Sequence, residues 1–245
     1  MDDAWSEFKV WYNSKPLVTR SYLAGCVGVT LLVTLGLLNP MTLLYSPRAT
    51  FFELNLWRPF TALFFMGKFS FGFLFNIYFA YIALLKVETV VFTRDKFVDF
   101  LWLNVLLWLG CILAGTLITM SFFSRPYLMA MIYIWCKKFP NEEITFMFGF
   151  RVKSTPLPHS AGYFPFVYAL CMMLFGDSLV PYLVGIGLGH LYIFVKDIAT
   201  LRYNRDCLPT PRWFYNWWHR GAQAVPGDAP RRPAGFFQGA GVRLG

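Results

Sequence analysis

His190 is the residue of this sequence whose type and surroundings most readily invite chemistry. It lies in the apolar run Leu179–Val195, directly after Gly189, and an ionisable side chain at membrane depth is a functional-site candidate by default. A histidine acting as base needs a nucleophile about 3 Å away. The only Gly-x-Ser tripeptide is Gly176-Asp177-Ser178. Ser178 stands twelve residues before His190, which along one helix is ~18 Å. These two cannot form a dyad, so His190 is read as a packing or polar-contact residue and no catalytic residue is assigned. Asn76 is a second polar side chain inside an apolar run. It is costly there unless bonded, so it is expected to meet another helix. The five cysteines, at 26, 111, 136, 171 and 207, show no metal-ligand spacing, and four fall in apolar stretches. They are read as packing residues, with no metal and no cofactor expected.

The last nine residues hold a different kind of signal. Phe237, Gly239, Gly241, Leu244 and Gly245 are spaced along FQGAGVRLG. Glycines let an extended chain lie against a partner's sheet edge, while Phe and Leu fill two pockets, as in strand addition. The plain alternative is a glycine-rich end without a role.

The elements that carry these residues are mostly apolar. Hydrophobic residues make up 57% of the 245 and charged residues only 14%, where a soluble domain would carry about a quarter charged. The excess must face lipid. Six apolar segments are expected as spans: Tyr22–Leu38, Ser70–Leu85, Val98–Thr119, Pro126–Cys136, Ala161–Phe175 and Leu179–Val195. A straight crossing needs ~20 apolar residues, and only the third clearly has them. Either the helices extend into polar flanks, or they are short and the bilayer thins around them.

With six spans and the N-terminus in the cytosol, 18 of the 22 Lys and Arg fall on the cytosolic side and four on the other. That asymmetry predicts a multi-pass chain with both termini cytosolic. The aromatics lie in runs without charge, unlike the interleaved pattern of a nucleic-acid platform, so no nucleic acid is expected. The acidic start MDDAWSEFKVW has no basic n-region, so the first span is expected to be retained.

The first loop, MTLLYSPRATFFELNLWRPFTALFFMGKF, is too apolar to lie free in water and should rest in the membrane interface. Its Trp57-Arg58 pair suits anchoring there, the guanidinium reaching headgroups or helix carbonyls. Gly185-x-x-x-Gly189 suits close packing of two membrane helices. After the sixth span, Thr210 could cap a helix begun by Pro211, placing Trp213, Phe214, Trp217 and Trp218 on one face. That helix is either packed in the cytosol or laid on the membrane. Gly221–Gly235 reads as a flexible spacer. The organisation is therefore a cytosolic segment (1–21), a membrane domain (22–200), an aromatic helix (201–220) and a tail (221–245).

The C-terminal motif resembles the SHP box, F-x-G-x-G-x-x-L-G, that binds the valosin-containing AAA+ ATPase. The resemblance runs through most of the chain and points to the Derlin family. Trp57-Arg58 is similar to that family's Trp-Arg motif. Asn76, Tyr78, Tyr81, Lys86 and Glu88 resemble its second span and exit. Phe146, Phe148-Gly149, Arg151, Lys153 and Leu157-Pro158 resemble its fourth-loop strip, and Gly185, Gly189 and His190 its sixth span. PHSAGYFPF, at the fifth span, is longer and more polar than the family pattern.

The resemblance implies an all-α membrane protein with six transmembrane helices in a rhomboid-like fold. Rhomboid proteases pair a Ser in span four with a His in span six; span four here, PYLMAMIYIWC, has no Ser. The implied function is that of a pseudoprotease of the endoplasmic reticulum membrane. It would assist retrotranslocation of misfolded proteins for degradation, with the ATPase, a ubiquitin ligase complex and the lipid bilayer as partners, in homo- or hetero-oligomers. An active intramembrane serine protease and a small-solute transporter are the alternatives. The first is disfavoured by the missing serine, and the second by the lack of internal repeats and the scarcity of charges inside spans.

Overall fold

The computed structural model describes residues 2–92, 96–139, 144–145, 151–152, 160–203 and 208–223. The C-terminal motif at Phe237–Gly245 lies outside them, as do Phe146, Phe148, Gly149, Lys153, Leu157 and Pro158. The chain divides into two units, Met1–Pro209 and Thr210–Gly245.

The first unit is a helical bundle. Its elements are α1 (Asp2–Ser14), α2 (Leu17–Thr34), α3 (Pro40–Leu43), α4 (Pro47–Phe51), α5 (Arg58–Phe64), α6 (Phe71–Lys86), α7 (Phe97–Ile118), α8 (Ser124–Lys138), α9 (Ser160–Leu174), α10 (Val180–Ile193) and α11 (Thr200–Tyr203). Between α8 and α9, the two-residue strands β1 (Ile144–Thr145) and β2 (Arg151–Val152) pair antiparallel. Local chemistry sets several boundaries. The Asn39 side chain accepts from Met41 N and is followed by proline, which starts α3. Ser70 accepts from Phe73 N at the start of α6. Thr119 closes α7 in the left-handed conformation.

Each expected span corresponds to a helix; some of these helices extend into polar flanks and others are short. Among the described residues, four helices are long and apolar enough to cross a membrane: Leu17–Thr34, Phe71–Val91, Phe97–Ile118 and Val180–Arg202. Two of these gain their length through π-helical turns, Val87–Val91 after α6 and Phe194–Ala199 after α10. The π-turns carry Glu88, Lys196 and Asp197, so these helices do run into polar flanks. By contrast α8 and α9 have 15 residues each, about 22 Å of helix, short of the ~30 Å hydrocarbon layer.

The short α8 is the centre of the bundle, packed by α6, α7, α9 and α10. Every residue from Pro126 to Cys136 is buried. A helix walled by other helices needs no lipid-facing apolar stripe, which is why its sequence is the weakest span signal. The aromatic core continues through Phe79, Phe164, Tyr168 and Tyr182, with Phe79 and Tyr168 edge to face at 5.1 Å.

In the second unit, α12 (Arg212–Gln223) starts just after Pro211, whose carbonyl accepts from Phe214 N and Tyr215 N. Trp213 and Trp217, four residues apart, are both exposed and share one face.

Candidate functional site

Two glycines let α10 lie against α8. A Cβ on Gly185 would come 2.4 Å from the Pro126 carbonyl oxygen and 2.6 Å from Met129 Cβ. One turn on, a Cβ on Gly189 would meet the Ala130 carbonyl oxygen at 3.0 Å and Tyr133 Cβ at 3.1 Å. The backbones touch where side chains would otherwise stand between them. Next to this seam, His190 Nδ1 and Tyr133 Oη share a hydrogen bond of 2.8 Å, and the His190 ring is exposed on the bundle surface. The histidine is thus placed against a tyrosine. Ser178 lies in the turn before α10.

Toward the end of the bundle that holds the first loop, polar groups gather around a cavity of about 310 Å³ among α6, α8 and the α9–α10 turn. Arg125, from the first turn of α8, makes a two-point ion pair with Asp177, through Nε at 2.9 Å and Nη2 at 2.6 Å. Tyr182 Oη donates to the same carboxylate at 2.5 Å. Deeper, Tyr168 Oη donates to Asn76 Oδ1 at 2.6 Å. Asn76 is 2% exposed and Tyr168 1%. A further bond, from Tyr127 Oη to Asn104 Oδ1, joins α8 to α7. Gly67 lines the cavity with φ +114° and its would-be Cβ aimed at Arg125 Nη2, a backbone state that suits glycine. The arrangement offers carboxylate, guanidinium and amide groups to a guest within apolar walls. Such groups can hydrogen-bond a polar backbone, which is costly to leave unsatisfied away from water.

The Asn76–Tyr168 bond leads to a measurable expectation. Tyr168→Phe strands a buried amide and is expected to cost about 1–3 kcal/mol of stability, read by thermal unfolding in detergent. Adding Asn76→Leu should recover part of that loss, a non-additivity a merely local packing defect would not show.

The first loop is fastened to this end by named bonds. Arg58 Nη1 donates to the Leu44 carbonyl at 3.2 Å, tying α5 to the α3–α4 link. Phe123 N donates to Ala62 O at 2.9 Å, Tyr45 N to Ser121 O at 2.8 Å, and Ser124 Oγ to Phe65 O at 2.6 Å. Trp108 Nε1 reaches Pro59 O at 3.0 Å. Outward, Phe51, Phe52, Leu54, Leu56, Trp57 and Phe60 are exposed, a surface fitted to the membrane interface. Trp57 and Arg58 are therefore adjacent in sequence but face apart, one outward and one into the loop's own backbone.

One residue has a role that sequence reasoning missed. Glu88 appeared there only as part of a span exit. It is buried, and its carboxylate accepts from Val18 N at 3.0 Å, Thr19 N at 2.8 Å and Thr19 Oγ1 at 2.7 Å. It caps α2 from the π-turn after α6, because the residue before α2 is Pro16, which has no capping side chain. The available signal was the uncapped start of α2 after Pro16; its partner, 70 residues on, could not be read from spacing. The Arg125–Asp177 pair was missed too, since its members stand 52 residues apart.

A helical bundle with four membrane-length apolar helices, a buried central helix and a polar cavity among them is a multi-pass α-helical membrane protein. Residues 15–212 match the Der1-like family, and the chain belongs to that family. It is similar to human Derlin-1, 31% identical over 250 residues that cover 96% of this chain and 94% of the relative. It is similar to Derlin-1 of Oryza sativa subsp. japonica, 30% identical over 239 residues covering 96% and 95%. It also resembles a probable derlin-2 homolog of Dictyostelium discoideum, 32% identical over 216 residues covering 85% and 82%.

Proposed function

We propose that this chain is a non-catalytic component of endoplasmic-reticulum-associated degradation that helps misfolded proteins cross back to the cytosol. The observation that carries the reading is the polar cavity of Asn76, Arg125 and Asp177 set among the membrane helices of a Der1-like chain. Such a cavity can receive a polypeptide segment. In support of binding without cleavage, His190 bonds Tyr133 and the Ser124 hydroxyl bonds a backbone carbonyl. The fold is read as a six-span, rhomboid-like bundle. Its two 15-residue helices, α8 and α9, favour a thinned bilayer around the domain.

The distribution of the basic residues supports a topology with both termini in the cytosol. Phe237, Gly239, Gly241, Leu244 and Gly245 then serve as an SHP box for the valosin-containing AAA+ ATPase, which supplies the pulling force. A ubiquitin ligase complex and further Der1-like subunits complete the assembly.

The test is affinity capture from detergent-solubilised membranes with and without residues 236–245. Deletion is expected to abolish capture of the ATPase while membrane insertion stays unchanged. Unchanged capture would overturn the role given to the tail. Specific cleavage of a membrane substrate by the purified protein would overturn the non-catalytic reading.

A further inference from the structure

The end of the bundle that holds the N-terminal segment has a second cavity, of about 350 Å³, between α1, α2 and α6. Its upper rim is cationic. Lys15 Nζ lies 5.4 Å from the Trp11 ring centroid and 5.9 Å from that of Tyr81. The Arg20 guanidinium lies 5.5 Å from the Tyr12 ring, and its Nη1 donates to Asn13 Oδ1 at 3.0 Å. Both cations are half-buried, and aromatic faces hold them in place. The lining contains no carboxylate. The nearest acid described above, Glu88, is committed to the first turn of α2.

Below the rim the cleft turns apolar. Leu23, Ala24 and Val27 line it from α2 and Ile77 from α6. Arg20 to Val27 spans about 10 Å of helix. Both helices are of membrane length, so the cleft descends along the acyl layer, with its charged rim at the level of headgroups.

We propose that this cleft is a binding site for an anionic phospholipid of the leaflet nearest the N-terminal segment. The phosphate sits between Lys15 and Arg20, and one acyl chain lies along Leu23, Ala24, Val27 and Ile77. Charge complementarity selects the occupant: two cations without a carboxylate above a greasy groove match an anionic headgroup on a hydrocarbon chain. A bound lipid would also wedge α1 against the α2–α6 pair.

Native mass spectrometry of the full chain, released from micelles doped equally with phosphatidylserine and phosphatidylcholine, tests this. It requires neither the ATPase nor a substrate, so its outcome is independent of the function proposed above. The wild-type chain is expected to retain one phosphatidylserine with a preference of roughly tenfold. K15Q/R20Q should retain the two lipids equally, and the charge-keeping swap K15R/R20K should restore the preference. Ala24→Trp, which fills the groove under intact charges, should abolish retention of the lipid. Three results overturn the proposal: no preference in the wild-type chain, a preference that survives K15Q/R20Q, or retention of inorganic phosphate in place of lipid.

Discussion

Gly185→Val will force α8 and α10 apart. The new Cβ would stand 2.4 Å from a backbone oxygen at Pro126 and 2.6 Å from Met129 Cβ. Neither neighbour can swing aside: one is backbone and the other is bonded directly to it. Overpacking of this kind costs about 3 kcal/mol or more, and α8 is the helix on which the rest of the bundle packs. The unfolding midpoint in detergent is expected to fall by about 6–12 °C, with faster tryptic cleavage between α8 and α9. Gly187 provides the comparison. Two residues along the same helix, its Cβ would meet nothing within 4 Å. Gly187→Ala should change stability by less than about 1 kcal/mol, with the sign set by helix propensity. Equal effects at the two positions would show that glycine content, and not the α8 contact, decides the seam.

The second large effect is expected at Glu88→Ala. One buried carboxylate satisfies two backbone N–H groups and a hydroxyl at the start of α2. Removing it leaves those donors without partners and takes a negative charge from the positive end of the helix dipole. The cost is about 3 kcal/mol. It should be localised, because the carboxylate bridges the π-turn after α6 to α2. Amide hydrogen exchange at Val18 and Thr19 should quicken more than exchange in α7 or α10. Glu88→Gln should fall between the two, since its amide nitrogen cannot accept from either N–H. Protection of α2 that survives Glu88→Ala would mean that water or a neighbouring residue caps the helix.

Much of the architecture could be read in the sequence because membrane insertion is written in composition. Apolar runs mark the helices that can cross a membrane. The readings were weakest where tertiary surroundings replace lipid. PYLMAMIYIWC scarcely reads as a span, yet it forms the core of α8. Its neighbours supply the apolar environment that a lipid-facing helix would need from its own side chains. The lengths of α6 and α10 were underread for a related reason. Their π-turns continue the helix through charged residues that a hydropathy boundary excludes.

The polar partners show the same division. That Asn76 needed a partner was evident from the cost of an amide among Phe and Leu residues. That the partner is Tyr168, 92 residues away, required the fold. Likewise the glycines at 185 and 189 announced a close helix contact, while its identity, α8 at Pro126 and Ala130, did not follow from spacing.

By itself, then, the sequence determined that this chain is an all-α membrane protein and where its six apolar helices fall, because the cost of exposing backbone to lipid acts locally on every segment. Only the tertiary structure decided which helix is central, that Glu88 caps α2, and that Arg125 and Asp177 meet at a cavity. Those pairings join residues tens of positions apart, and long-range contacts of that kind leave no mark on local composition.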